Sequence, residues 1–276
     1  MPSSLAASPA ASAAAAVASK RSFAAIKRPA AASTRRPRSA TATASATPSS
    51  TDATPAMAQP AITLCYFEVY AKGLQCAMVA AHSGLEWRAK SADFNFKAVK
   101  DTAAPFGQMP LLYIDGADSP IGQSTAIAST IGRMSNTDGA DDIKDFAMSS
   151  MLMAEAEDLY AAMVKASPTA FVALGTGTKT AENHALLWAE VMPHHMGCLE
   201  KLLVGDTDKF TTTGLVSGEL FLFGIIYQIV LCSDAIFDDA PKLKAWYNRI
   251  LSHAKTQDVL AGTSPMGKMG QYFINP

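Results

Sequence analysis

The stretch from Pro105 to Ile127 leaves a chain few ways to fold: Pro-Phe-Gly-Gln-Met-Pro-Leu-Leu-Tyr-Ile-Asp-Gly-Ala-Asp-Ser-Pro-Ile-Gly-Gln-Ser-Thr-Ala-Ile. Leu111 to Ile114 is a short apolar run with the character of a buried strand. Asp115-Gly116 is a strong hairpin signal, so the chain should return through Asp118 to Ile121. Pro110 stands at the mouth of the first strand, where a proline is tolerated. A cis Met109–Pro110 bond would end the pairing there and leave the N–H and C=O of Met109 facing a ligand. After the hairpin, Gln123-Ser124 sits where a helix begins. Ser124 is a suitable cap, and the bare N–H groups of a helix start attract a carboxylate. An open backbone edge beside a carboxylate-binding helix start suits a small peptide.

The rest of the chain divides around this stretch. The first fifty residues carry Lys20, Arg21, Lys27, Arg28, Arg35, Arg36 and Arg38 and no acid, on a background of Ala, Ser, Thr and Pro. That is the composition of an organellar transit peptide, expected over 1–58, with a plastid favoured over a mitochondrion by its Ser/Thr/Ala/Pro richness. Met57 opens a segment that would also serve as the start of a cytosolic protein. The whole chain has 23 basic and 24 acidic residues; beyond residue 50 the balance is 16 to 24. An acidic body argues against nucleic-acid binding. Cys65, Cys76, Cys198 and Cys232 have no CxxC or zinc-ribbon spacing and read as free thiols, and no metal is expected.

Strands are expected at Ile62–Phe67 and Glu86–Lys90, a helix from Lys72 to Ser83 stopped by Gly84, and a loop with a helical turn over Asp93–Lys100. With the hairpin and a helix over Gln123–Met134, the order is βαβ then ββα, a thioredoxin-like domain over 59–137. Beyond a polar linker at Ser135–Asp142 the pattern turns wholly helical, giving a second domain over 140–272 and an α+β protein. Its expected helices are Asp145–Ala166, Glu182–Val204 with a kink at Pro193, the apolar Phe221–Cys232, and a last one from Asp239 to His253. The run at Phe221 is too short to span a bilayer, which needs ~20 residues. Val216-Ser217-Gly218-Glu219 offers Ser217 as the cap of the buried helix.

Phe106-Gly107-Gln108-Met109-Pro110, followed thirteen positions after Pro110 by Gln123-Ser124-Thr125-Ala126-Ile127, resembles the glutathione transferases. Ile-Thr-Leu-Cys-Tyr-Phe at the first strand resembles the opening of their sigma class, which includes the haematopoietic prostaglandin D synthases and the S-crystallins. The resemblance implies glutathione as co-substrate, a small hydrophobic electrophile as second substrate, a homodimer, and Tyr66 as the catalytic residue whose hydroxyl holds the glutathione thiolate. A free thiol has a pKa of ~8.5, so a hydroxyl donor in a dry pocket is needed to keep it ionised near neutral pH.

By the same resemblance Phe67 and Lys72 flank Tyr66, and Phe96 and Lys100 lie against glutathione. Gln108, Met109 and Pro110 present backbone to its cysteinyl part, and Gln123 and Ser124 hold its γ-glutamyl end. Glu157-Asp158 resembles the paired acids of the sigma interface helix, with Asp158 reaching the glutathione of a partner subunit. Two other readings remain: a thiol-exchange enzyme using Cys65, which alternation along the strand turns away from the face of Tyr66, and a non-catalytic binding or structural module. His194 and Cys198, four apart on a helix, lack further ligands for a metal site.

Overall fold

The structure is a computed structural model that describes residues 59–90, 104–167 and 181–274. The expected leader over 1–58, the loop at Asp93–Lys100, and with it Phe96 and Lys100, lie outside the described residues. The described residues form one compact unit.

Four strands make one sheet. β1 (Ile62–Cys65) lies between β2 (Trp87–Lys90), which is parallel to it, and β3 (Leu111–Ile114), which is antiparallel; β4 (Ile121–Gly122) borders β3, giving the order β2-β1-β3-β4. The parallel pair needs a crossover, and α1 (Ala71–Ser83) supplies it. Gly84 ends that helix at φ +78°, a left-handed conformation that a β-carbon disfavours. β3 and β4 form the expected hairpin, and α2 (Ser124–Met134) follows at once.

The remaining elements are helical. α3 (Ile143–Ala166) is capped by Asp142, whose carboxylate accepts from the N–H groups of Lys144 at 2.7 Å and Asp145 at 3.4 Å. α4 (Ala181–Leu186) runs through a π-helical turn at Leu187–Val191 into α5 (Met192–Leu202). The expected kink at Pro193 therefore takes the form of one wider turn just before the proline, where the ladder loses a donor. α6 (Ser217–Val230) is the buried central helix. A 3₁₀ turn at Asp234–Phe237 leads to α7 (Pro241–Leu251), and a separate helix α8 (Ala254–Ala261) follows, which the sequence reading had not anticipated. Its cap is His253, whose ring nitrogen accepts from the Lys255 N–H at 3.2 Å.

α6 packs mainly against α1 and α3, so sheet-side and helical elements share one core. Phe221, Leu222, Phe223, Ile225, Ile226 and Ile229 are fully buried, each worth ~1.5–3 kcal/mol relative to exposure. Gly224 permits the close crossing with α1: a β-carbon there would lie 2.6 Å from Cα of Gln75. The expected cap of α6 needs correction. The helix starts one residue earlier than Ser217 capping would allow, with Val216 at the cap position and Glu219 reaching back to the Val216 N–H at 3.4 Å. Glu219 is 1% exposed and also accepts from Trp246 Nε1 of α7 at 2.9 Å. Burial pushes its carboxyl up to about 7, against the opposing pull of Trp246 and Arg249.

Past α8 the chain returns across the molecule as a strap. Gly270 donates to the Glu68 carbonyl and accepts from the Tyr70 N–H, both at 2.9 Å, and Phe273 is fully buried. No described helix is long and apolar enough to cross a membrane.

Candidate functional site

A cleft of about 350 Å³ opens where three pieces of the sheet-side half meet one helix of the other half. Phe67 and Lys72 come from the end of β1 and the start of α1. Gly107, Gln108, Met109 and Pro110 come from the segment before β3, Gln123 and Ser124 from the start of α2, and Glu157 from α3. The volume is in the range of small-ligand sites.

The Met109–Pro110 bond is cis, and Met109 lines the cleft with neither its backbone N–H nor its C=O paired among the described residues. Across the cleft, Gln123 has φ +70°, a strained conformation for a side chain of its kind. That geometry turns the chain abruptly out of β4 so that α2 starts facing the cleft. Gln123 Nε2 donates to Gln108 Oε1 at 3.3 Å, linking the two walls. Ser124, 7% exposed, caps nothing with its side chain; its hydroxyl donates to Glu157 Oε1 at 3.0 Å. The N–H groups of the first turn of α2 are therefore left to face the cleft, an electropositive end suited to a carboxylate.

Lys72 bridges the halves. Its ammonium pairs with the other oxygen of Glu157 and lies 4.1 Å from the centre of the Tyr160 ring. Its backbone N–H donates to the Tyr66 hydroxyl at 3.3 Å. Tyr66 is 6% exposed and is not itself among the residues lining the cleft; its hydroxyl meets the cleft through Lys72. The hydroxyl's own proton finds no acceptor among the described residues. Burial pushes the Tyr66 phenol well above its ordinary range, outweighing the opposing bond from Lys72. Tyr66 is therefore a neutral donor, not a base. Its ring packs on Gly73: a β-carbon there would lie 2.3 Å from Tyr66 Cδ1.

Tyr160 of α3 and Tyr272 of the strap complete an aromatic wall beside Tyr66, their rings nearly parallel with centres 6.3 Å apart. Sequence reasoning missed both. They are far apart in the chain and belong to no local pattern.

Phe67, Lys72, Gln108, Met109, Pro110, Gln123 and Ser124 thus come together, with Tyr66 adjoining. Asp158 does not join them. One residue along a helix is ~100° of rotation, so Asp158 is exposed while Glu157 faces the cleft. Asp158 lies instead near His195, whose imidazole pairs with Glu155 at 2.6 Å and is held above its ordinary range by that bond first and by Asp158 last. Cys65 is 2% exposed and burial raises its thiol, the opposite of what a nucleophile needs. Cys198 and His194 stand 3.9 Å apart on the surface, and no group of three metal-ligating side chains occurs among the described residues.

No protein-family model matches the chain. A segment of 79 residues is 32% identical to a protein described as probable glutathione S-transferase 6 of Caenorhabditis elegans, and the match spans 29% of this chain and 37% of that relative's length. Among solved structures, prostaglandin synthase D of Nilaparvata lugens superposes with a TM-score of 0.59 at 18% identity, over 74% of this chain and 99% of its own. The glutathione S-transferase of Ascaris lumbricoides gives 0.60 at 19%, over 73% and 97%. A pi-class glutathione S-transferase of Onchocerca volvulus gives 0.60 at 20%, over 72% and 91%. The shared architecture is the glutathione transferase fold, a thioredoxin-like α+β half followed by a helical half.

Proposed function

We propose that the protein is a glutathione transferase of sigma-like type. The observation that carries this reading is the convergence on one cleft of the unpaired Met109 backbone, the open start of α2 and the neighbouring hydroxyl of Tyr66. Met109 would pair with the cysteinyl backbone of glutathione, and the N–H groups at Ser124 would hold the γ-glutamyl carboxylate. The hydroxyl of Tyr66, held at its oxygen by Lys72, would donate to the thiolate. A charge-assisted bond of this kind contributes ~1.5–3 kcal/mol, enough to lower a thiol pKa by ~1–2 units. The thiolate then attacks a small apolar electrophile, or reduces or isomerises a lipid peroxide, against the aromatic side made by Phe67, Tyr160 and Tyr272.

The test is calorimetric titration with glutathione followed by turnover of an aryl halide, organic hydroperoxides and endoperoxides. Saturable binding with turnover of at least one class supports the reading; absence of glutathione binding ends it. A second reading, a non-catalytic binding module, draws on the 6% exposure of Tyr66 and its place behind the cleft wall. Binding without turnover across that panel would favour it. The buried, raised thiol of Cys65 speaks against thiol exchange at that residue.

The reading extends to assembly and address. Phe106 is 67% exposed, and α3 presents Ile143, Phe146 and Met151 to solvent, an apolar surface suited to a homodimer. Light scattering decides it. The acid-free leader is proposed to direct the chain to a plastid, with cleavage between about residues 45 and 60 read by N-terminal sequencing from native cells.

A further inference from the structure

We infer that His82 and His253 form an acid-sensitive latch that holds α8, and the strap after it, against α1. The inference does not depend on the glutathione reading. Only Ser252 and His253 separate α7 from α8, and neither is a glycine or proline that would fix the break. The start of α8 is held by an imidazole: His253 Nδ1 accepts from the Lys255 N–H at 3.2 Å. The same ring lies against His82 of α1, with centres 4.5 Å apart. His82 Nε2 shares a hydrogen bond of 2.9 Å with Thr256 Oγ1, in the first turn of α8. Thr256 and Val259 are the buried side chains of α8, so its own hold on the core is slight. The two helices are therefore joined through a pair of imidazoles in contact, His82 half-buried and His253 exposed over it.

Both contacts need neutral rings. An imidazolium has no lone pair, so a proton on Nδ1 of His253 ends the cap. A proton on His82 places a half-buried cation beside the His253 ring and the Lys255 ammonium. Burial first, then His253 and Lys255, lower His82 to about 4. α1 packs also against α2 and α6, and α8 against α7, yet none of these three helices brings a charged group to bear on His82. No carboxylate among the described residues offsets the charge there. With α8 detached, His82 returns to the ordinary ~6.5. The detached form thus takes up a proton that the closed form refuses. The latch is at full strength above about pH 6.5 and weakens as pH falls toward about 4. The strap follows α8 directly, pinned at Gly270 to Glu68 and Tyr70, and it carries Tyr272 to its place beside Tyr160. Release of α8 slackens that strap and with it the aromatic wall.

The experiment is amide hydrogen exchange on the full chain at about pH 7 and pH 5, read by mass spectrometry and corrected for the intrinsic rate. With His82 at about 4 when closed and ~6.5 when open, the amides of α8 and the strap should open ~10- to 50-fold more often at the lower pH, while those of β1 and α6 stay as they were. His82→Gln, which can keep the bond to Thr256 and takes up no proton, should show a rise below ~3-fold. His253→Asn, whose amide oxygen still caps a helix, should show an intermediate rise. Proton NMR of the His82 ring in the unaltered protein supplies a reading free of any folding defect in a variant: the ring should stay neutral down to about pH 5. An equal rise in His82→Gln, no rise in the unaltered protein, a rise shared by β1 and α6, or protonation of His82 at its ordinary ~6.5 each overturns the inference.

Discussion

Tyr66→Phe removes a single oxygen from behind the wall of the cleft, and its contacts set the size of the expected effect. That oxygen accepts one bond, from Lys72 N–H at 3.3 Å, and has its proton to give. Burial holds the phenol neutral far into the alkaline range, so the donor is present wherever glutathione can ionise. Loss of a charge-assisted bond of ~1.5–3 kcal/mol should raise the pKa of the bound thiol by ~1–2 units. Below that pKa the thiolate fraction, and with it the rate, should fall ~10- to 100-fold, with little change in glutathione affinity. Near pH 9, where even a free thiol is largely ionised, the two proteins should converge. The Lys72 amide, a helix-start donor, loses its partner at a cost of ~1 kcal/mol, so the fold persists. The assay is turnover of an aryl halide from pH 5.5 to 9.5, with thiolate absorbance of the binary complex read over the same range. Superimposable profiles for the two proteins would refute the assignment, and Tyr66 would then be a core residue only.

Two further outcomes follow from the same contacts. Gly73→Ala places a β-carbon 2.3 Å from the Tyr66 ring, which must then tilt away; activity should drop ~10-fold or more while circular dichroism and glutathione binding are kept, and undiminished turnover would show that the position of the ring is not critical. Glu219 has a folded-state pKa of about 7 against ~4.3 in the unfolded chain, so the folded state binds the extra proton between these values and stability falls as pH rises from 4.5 to 7. Relative to Glu219→Gln, the wild type should lose up to ~3 kcal/mol across that window in urea melts, and parallel curves for the two proteins would place the Glu219 pKa elsewhere.

What was legible in the sequence was whatever depends on chemistry between near neighbours. Asp115-Gly116 favours a turn, with Gly116 at φ +86°, Pro110 stands just before a strand, and Gly84 stops a helix, so the sheet, its crossover helix and the two walls of the cleft could be read directly. Elsewhere, local signals misled. Ser217 has the chemistry of a cap, yet the buried Glu219, anchored by Trp246 from α7, ties back to Val216 instead. α8 follows α7 with neither glycine nor proline between them; the break is marked by His253 acting as a cap, a role that residue seldom takes. The aromatic wall has no local signal at all, since Tyr272 reaches Tyr160 only because the strap is pinned at Gly270.

The acidic pair on α3 lies between these cases. Two adjacent carboxylates at Glu157 and Asp158 announce a charged helix face, but their order says nothing of which one points inward. That is set by the rotation of α3 about its axis, and the rotation follows from its apolar stripe. Leu152, Ala156, Leu159 and Met163 are all buried. Glu157 lies next to that stripe on the side of α2, close enough for Ser124 and Lys72 to hold it, whereas Asp158 is carried a further ~100° toward α5 and His195. The packing of four apolar side chains thus decides which carboxylate is available to a ligand.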